Sequence, residues 1–288
     1  MKKVIGVVTA RMTSTRLPGK VLLDIAGKSN FAHHVERMRA VKGLAGVFLA
    51  TSSNPLNATL IAEAERLGCG WYAGAEEDIV ERHIALCGRE SADAVIRVTC
   101  DCPLFDIDSA SLFIEEFQKE YQDFIYVSNM AMMYGTLSEL ISFDALREVH
   151  KNYRGPAISL PIRENMGSFK TLDITVPEEL CRPEYRLTVD YPDDLELVRH
   201  IYNALYRVSP LALRDVYTWL DDNPQTARIN AHVAVKGVNV YAANLMEKPV
   251  YSVVRSGDRY LILDEQKQLL TPSEFLTRLA ELFPGDRS

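Results

Sequence analysis

The chain has 288 residues, 47% of them hydrophobic and 25% charged, with a net charge of −7 at pH 7. Such proportions give a folded domain with a sizeable core and exclude intrinsic disorder and fibrous architecture. The basic residues are scattered and outnumbered, so a nucleic-acid backbone finds no electrostatic footprint, and no apolar run is long enough to cross a bilayer as a helix. The five cysteines, Cys69, Cys87, Cys100, Cys102 and Cys181, are odd in number and lack the spacing of a disulfide framework or a zinc site. Met1–Val8 has a signal-like start, but its apolar run is short and no cleavage site follows. A cytoplasmic protein without membrane or nucleic-acid partners is the expectation.

In chain order, the β-branched run Val4–Thr9 predicts a buried strand followed by the polar loop Ala10–Lys20. A helix is predicted over Ala32–Val41, with His33, His34, Arg37 and Arg39 on its wetter positions and the two adjacent histidines read as surface residues. Val47–Ala50 reads as a second strand, closed by a turn at Thr51–Pro55, and Leu60–Leu67 as a helix with Gly68 at its C′ position. Trp71–Tyr72 is strand-like, Asp78–Cys87 helical, and Ala94–Thr99 and Phe124–Val127 are further strands. This alternation predicts βαβ units, a mostly parallel sheet with helices on both faces. From Ser138 on, strands at Leu140–Ser142, Phe169–Ile174 and Tyr185–Val189 with longer connections imply an antiparallel part. Helices follow at Asp193–Leu205 and Leu211–Leu220. Residues 1–236 form the predicted main domain; 237–288 form an α+β appendage with short strands at Val250–Val254 and Tyr260–Ile262 and a helix near Ser273–Leu282.

Three segments carry chemistry. The loop after the first strand lies at the carboxyl edge of the sheet, where α/β proteins bind ligands. It offers Arg11, Arg16 and Lys20, the hydroxyl of Ser14 flanked by Thr13 and Thr15, and Gly19. Forked guanidinia, a point-charge ammonium and backbone N–H groups suit a triphosphate, although an exposed basic turn has the same composition. In Arg97–Leu104 a buried strand delivers Asp101 to its carboxyl end, where the carboxylate can hold Mg²⁺ or cap the Asp-x-Pro turn. In Arg186–Leu195 the same pattern delivers Asp190, while Asp193 and Asp194 suit the first turn of the following helix. Two strand-end aspartates and a cationic loop are what metal-assisted attack on a nucleotide phosphate needs.

Four stretches, Ala10–Leu22, Gly74–Arg82, Arg97–Leu104 and Thr188–Leu197, resemble the spore-coat-polysaccharide-type cytidylyltransferases, relatives of the enzymes that make CMP-sialic acids and CMP-Kdo. The likeness runs in order through roughly residues 1–235. It implies a Rossmann-like nucleotidyltransferase fold related to the GT-A glycosyltransferases, with Mg²⁺ and CTP. By motif position, Arg11, Ser14, Arg16 and Lys20 would contact the triphosphate; Thr51, Ser52 and Arg97 would lie near the base and ribose; and Asp101 and Asp190 would hold the metal. Glu77 and Asp78 fall in a matched motif where a capping role is as good a reading. The chain departs from the pattern at Met130–Glu139 and at Pro156–Ala157, leaving Glu139 and Arg163 as acceptor-side candidates and suggesting a less polar acceptor pocket.

The function these observations imply is transfer of CMP from CTP to a hydroxyl of a carbohydrate acceptor, sialic-acid-like or related, with release of pyrophosphate, for a surface glycan. The catalytic set is Arg11, Lys20 and Asp101. Open alternatives are the same chemistry with another nucleotide and a sugar 1-phosphate, and a glycosyltransferase using a nucleotide sugar. A homodimer is implied by the resemblance, and the appendage is expected to pack on a partner subunit or cover the acceptor.

Overall fold

The computed structural model describes residues 1–14, 16–127, 134–153, 155 and 157–233, together with the tail backbone at 238–241, 249–256, 259–264 and 268–270. The expected final helix at Ser273–Leu282 and the methionine run Met130–Met133 lie outside the described residues. Two compact units are formed, Met1–Asn230 and Ala231–Ser288. In the second, β-strands Val238–Tyr241, Pro249–Ser256, Arg259–Asp264 and Leu269–Leu270 pair in sequence as an antiparallel sheet.

The first unit begins with β1 (Val4–Thr9), the small hairpin β2 (Asp24–Ile25) and β3 (Lys28–Ser29), and α1 (Asn30–Ala40). There follow β4 (Leu44–Ser52), α2 (Ala58–Arg66), β5 (Gly70–Gly74), α3 (Ile79–Glu90), β6 (Ala94–Thr99), α4 (Ile107–Lys119) and β7 (Phe124–Tyr126). The remainder is β8 (Glu139–Ser142), α5 (Phe143–Asn152), α6 (Leu160–Glu164), β9 (Thr171–Asp173), α7 (Pro192–Leu205), α8 (Leu213–Asp222) and α9 (Pro224–Ala227). The seven-stranded sheet has the order β5-β4-β1-β6-β8-β7-β9. β5, β4, β1 and β6 are mutually parallel, β8 is antiparallel to β6 and β7, and β7 pairs parallel with β9.

Alternation along the strands builds two cores. Val4 and Val8 of β1, Leu49 of β4 and Ile96 and Val98 of β6 face one layer with α1, α4 and α7; Ile5, Val7, Ala50 and Val95 face the other with α3 and α5. Each such Val, Leu or Ile side chain contributes about 1.5–3 kcal/mol by leaving water. Side-chain caps fix where helices start: Ser29, Asp78, Asp106 and Ser142 each accept from a backbone N–H in the first turn of α1, α3, α4 and α5. Gly68 follows α2 at φ +62°, the left-handed conformation its place after the helix requires. Among the described residues no helix is long and apolar enough to cross a membrane.

Several sequence expectations are corrected. Thr51 and Ser52 are the last residues of β4, fully buried, because β5 continues to pair with them. Tyr185–Val189 joins no sheet; its N–H groups at Leu187 and Val189 bond the carbonyls of Tyr134 and Asp101, which belong to loops. His33, His34 and Arg37 are buried, since α1 is enclosed between the hairpin and α7 on one side and Phe105 on the other. Helices α4 and α5 stand where no element was expected.

Burial holds His34 and His83 neutral, at pKa values of about 4 and about 3. Asp101, His33 and Arg37 face His34, and Arg97 and Arg82 face His83, as the nearest charges. Unfolded histidine titrates near 6.5, so below that pH the unfolded chain binds more protons and stability falls towards pH 4. Urea unfolding at pH 7, 6 and 5 is expected to give a decline of up to about 1.4 kcal/mol per pH unit for each buried histidine. His83→Gln should make that decline shallower, and a slope identical to wild type would refute the assignment.

Candidate active site

In a doubly wound sheet the crevice for a ligand opens where successive crossovers leave one strand in opposite directions. Here that point is the carboxyl end of β1, whose neighbours are β4 on one side and β6 on the other. A cavity of about 230 Å³ lies there, walled by Thr9 and Ala10, the loop residues Arg11, Thr13, Ser14, Arg16 and Lys20, Ile79 and Arg82 from the start of α3, and Thr99 to Asp101 from the end of β6.

At its base Lys20, its side chain 11% exposed, donates from Nζ to Asp190 Oδ1 at 2.8 Å and to the Val189 carbonyl at 2.9 Å, and reaches Asp101 Oδ2 at 3.5 Å. Arg16 donates to the other oxygen of Asp190 at 2.9 Å, with its guanidinium 5.4 Å from the Tyr191 ring. Burial acts to lower the Lys20 pKa, but the two carboxylates outweigh it and the ammonium is stabilised above its ordinary value. Burial likewise acts to raise Asp101, and Lys20 with hydrogen bonds from Thr99 and Cys102 holds it below the usual carboxylate range.

Asp190 is positioned by Asp194, which is fully buried at the start of α7. The Asp194 carboxylate accepts from Arg186 Nε at 2.8 Å and Nη2 at 3.1 Å, from the N–H groups of Asp190 and Tyr191 at 3.0 Å each, and from Asn230 Nδ2 at 2.8 Å. Gly135 lets this segment close on the 134–136 loop. At φ +105°, a Cβ there would stand 2.3 Å from Thr188 N and 2.5 Å from the Leu187 carbonyl carbon.

Arg11, Ser14, Arg16, Lys20 and Asp101 thus wall one cavity, and Asp190 joins them through Lys20 and Arg16. Thr51 and Ser52 do not line it. Ser52 donates to Glu76 at 2.7 Å, and Glu76 in turn lies 3.5 Å from Arg11, so Ser52 is tied to the loop through that carboxylate. Arg97 pairs instead across the β6–β8 ladder, donating to Glu139 Oε2 at 3.0 Å. Arg163 donates to Glu139 Oε1 at 3.1 Å and stacks over the rings of Phe124 and Tyr126 at 5.1 and 4.7 Å. Burial acts to raise Glu139, but Arg97 and Arg163 hold it low. Asp78 caps α3 and also meets His150 Nε2 at 2.9 Å. Three contributors were not among the expected site residues: Glu76, Arg82 and Asp194, the last read only as an acid of the first helical turn. The first two lie inside the quoted Gly74–Arg82 motif, whose composition does not separate a capping acid from one that ties two loops together.

A mixed sheet of this order, with a cation-lined crevice at its switch point, is the architecture of a nucleotidyltransferase. The chain belongs to the cytidylyltransferase family, whose model matches residues 5–208. It is 31% identical over 238 residues to the uncharacterised protein MJ1063 of Methanocaldococcus jannaschii, covering 81% of this chain and 97% of that one. It is 25% identical over 236 residues to the spore coat polysaccharide biosynthesis protein SpsF of Bacillus subtilis, covering 79% and 98%. The fold is also that of a cytidylyltransferase structure from Leptospira borgpetersenii, with a TM-score of 0.74 at 23% identity over 79% of this chain and 97% of that chain.

Gly135→Ala is expected to destabilise the protein by about 3 kcal/mol or more, combining left-handed strain with a backbone clash. Because the clash falls on the segment that carries Asp190, activity should drop with it. A melting temperature within a degree of wild type would show that the loop can open without cost.

Proposed function

We propose that this cytidylyltransferase moves CMP from CTP to a hydroxyl of an acidic or related sugar, releasing pyrophosphate, in the synthesis of a surface glycan. The observation that carries the reading is the Lys20 ammonium set between Asp101 and Asp190 on the floor of a cavity walled by Arg11, Ser14 and Arg16. Similarity to a spore coat polysaccharide protein over most of the chain supports the glycan context.

In this reading Arg11, Arg16 and Lys20 bind the triphosphate and neutralise the charge that develops on pyrophosphate as its bond to the α-phosphorus breaks. The Ser14 hydroxyl and the loop N–H groups complete the cradle. The acceptor hydroxyl attacks in line on the side opposite the leaving group, so positioning and electrostatics supply most of the acceleration. Thr51, Ser52 and Arg97 are assigned to the nucleoside side, with Ser52 acting through Glu76 on Arg11. Arg163 is the better acceptor contact of its pair: its side chain is 26% exposed, whereas that of Glu139 is 12% exposed and gives both oxygens to arginines. Glu139 then serves to aim Arg97 and Arg163.

The donor chemistry fits Mg²⁺. Both carboxylates are hard oxygen ligands, a cationic group already stands between them, and Asp101 is the more open, 26% exposed against 4% for Asp190. Asp101 and Asp190 would hold the ion, which supplies charge neutralisation across the phosphate oxygens.

Thermal-shift measurements with the four nucleoside triphosphates and Mg²⁺ should show a rise in melting temperature confined to CTP. Pyrophosphate release with a panel of acidic sugars should then fall on the order of 100-fold in Asp101→Asn. Full Mg²⁺-dependent release by that variant, or turnover of a nucleotide sugar without pyrophosphate, removes the proposal. A homodimer and a tail that joins subunits or covers the acceptor are part of the same proposal. Truncation at Lys236 should alter oligomer size or turnover, and a truncated protein unchanged in both dismisses those two roles.

A further inference from the structure

The cavity contains a fourth cation, Arg82, whose circumstances differ from those of every other buried arginine here. The residue is 2% exposed, yet its guanidinium donates no hydrogen bond to any described residue, and Nε is wholly enclosed without a partner. Arg37 is equally buried but is satisfied by the carbonyl of Phe105 at 2.6 and 3.2 Å and that of Leu211 at 2.7 Å. Arg186 leaves Nη1 without a partner but donates from Nε and Nη2 to Asp194, and the less buried Arg16 and Arg163 donate to Asp190 and Glu139. The acids around Arg82, namely Glu76, Glu81 and Asp78, have other hydrogen-bond partners, Asp78 capping α3 and meeting His150. Glu76 accepts from Ser52, and Glu81 accepts from the Tyr72 hydroxyl at 2.7 Å and from the Ala75 N–H at 3.3 Å.

Local charge compensates only in part: Glu76, Glu81 and Asp78 favour the guanidinium, but burial and the neighbouring Arg11 outweigh them. Arg82 stands in the first turn of α3, where the helix presents its positive end and a cation is disfavoured. An enclosed charge without hydrogen bonds is costly to keep. The fold nevertheless makes room for it: a Cβ on Gly74 would lie 3.0 Å from Arg82 Cγ, so the glycine at the end of β5 leaves space for the arginine stem. In the same cavity Arg16 and Lys20 are already engaged by aspartates, while Arg82 is not.

We propose that Arg82 is a nucleotide-binding residue, its unpartnered guanidinium donating to oxygens of the triphosphate bound in this cavity. The inference rests on reading the cavity as a triphosphate site, and it makes Arg82 a residue whose hydrogen bonds are completed by substrate.

The test is calorimetric titration of wild type, Arg82→Met and Arg82→Lys with Mg²⁺–CTP and, as a base-free probe, Mg²⁺–tripolyphosphate. Arg82→Met should bind both ligands at least about tenfold more weakly, equivalent to about 1.4 kcal/mol. Its ligand-free melting temperature should equal or exceed that of wild type, because removing an unpaired buried charge relieves the free protein. Arg82→Lys should recover part of the affinity. Affinity unchanged in both variants overturns the inference, as does a ligand-free melting temperature lowered in both, the mark of a purely structural arginine. Wild type that binds tripolyphosphate through Arg82 but not CTP keeps the anion site and removes the cytidylyl reading. CTP binding indifferent to Arg82 does the reverse.

Discussion

One ammonium group, Nζ of Lys20, holds the working end of this molecule together. It joins the loop after β1 to the end of β6 through Asp101, and to the approach of α7 through Asp190. Those segments are far apart in sequence, and backbone bonds from Cys100 to Thr9 and from Val189 to Asp101 bring them to the same place. Asp190 cannot be buried at 4% exposure without cations, and Lys20 cannot be buried without carboxylates; each makes the other tolerable. Arg16, Arg186 and Asp194 extend the same mutual requirement outward, so the floor of the cavity is a charge network with few ways to rearrange.

Such a network has a particular relation to a substrate with several negative charges. Cations already engaged by aspartates are held in place before the ligand arrives and need little reorganisation, which is how preorganised sites lower a barrier. An uncommitted cation contributes differently: it raises the energy of the empty site and lowers that of the filled one. The two kinds coexist here, the first in Lys20 and Arg16 and the second in Arg82. The free protein therefore gives up some stability in exchange for a site that is most complete when filled.

How much of this was legible in the sequence varied with the distance over which each signal acts. β1 and β6 have the predicted bounds because continuous β-branched runs reflect burial on both faces, a property each strand carries in itself. The loop cations, Asp101 and Asp190 could be placed because strand ends of α/β sheets map to one edge. What failed depended on partners. Tyr185–Val189 has strand composition, but sheet membership needs a neighbour, and its neighbours are loops. His33 and His34 look solvated on a helix drawn alone, and only Ile25, Tyr202 and Phe105 packing from other elements enclose them. Helix α4 carries a spaced apolar set in Ala110, Phe113, Ile114 and Phe117, yet Ser109 and Ser111, both turned inward, break the contrast between its faces. The importance of Asp194 was hidden for the same reason: an acid in a first helical turn is explained by the helix dipole before any buried arginine is known.

Asn230 gives the architecture an unexpected boundary condition. Its side-chain amide donates to the Asp194 carboxylate and, at 2.9 Å, to the Arg186 carbonyl, and it is also the last residue of the first compact unit. The seam between the two units therefore begins immediately after a residue that supports the site from beneath. Exchange or loss of the tail during evolution, or a protease cutting at the junction, leaves the charge network intact only if the break falls beyond Asn230. One residue fewer strips two hydrogen bonds from the buried ion pair that sets Asp190 in place.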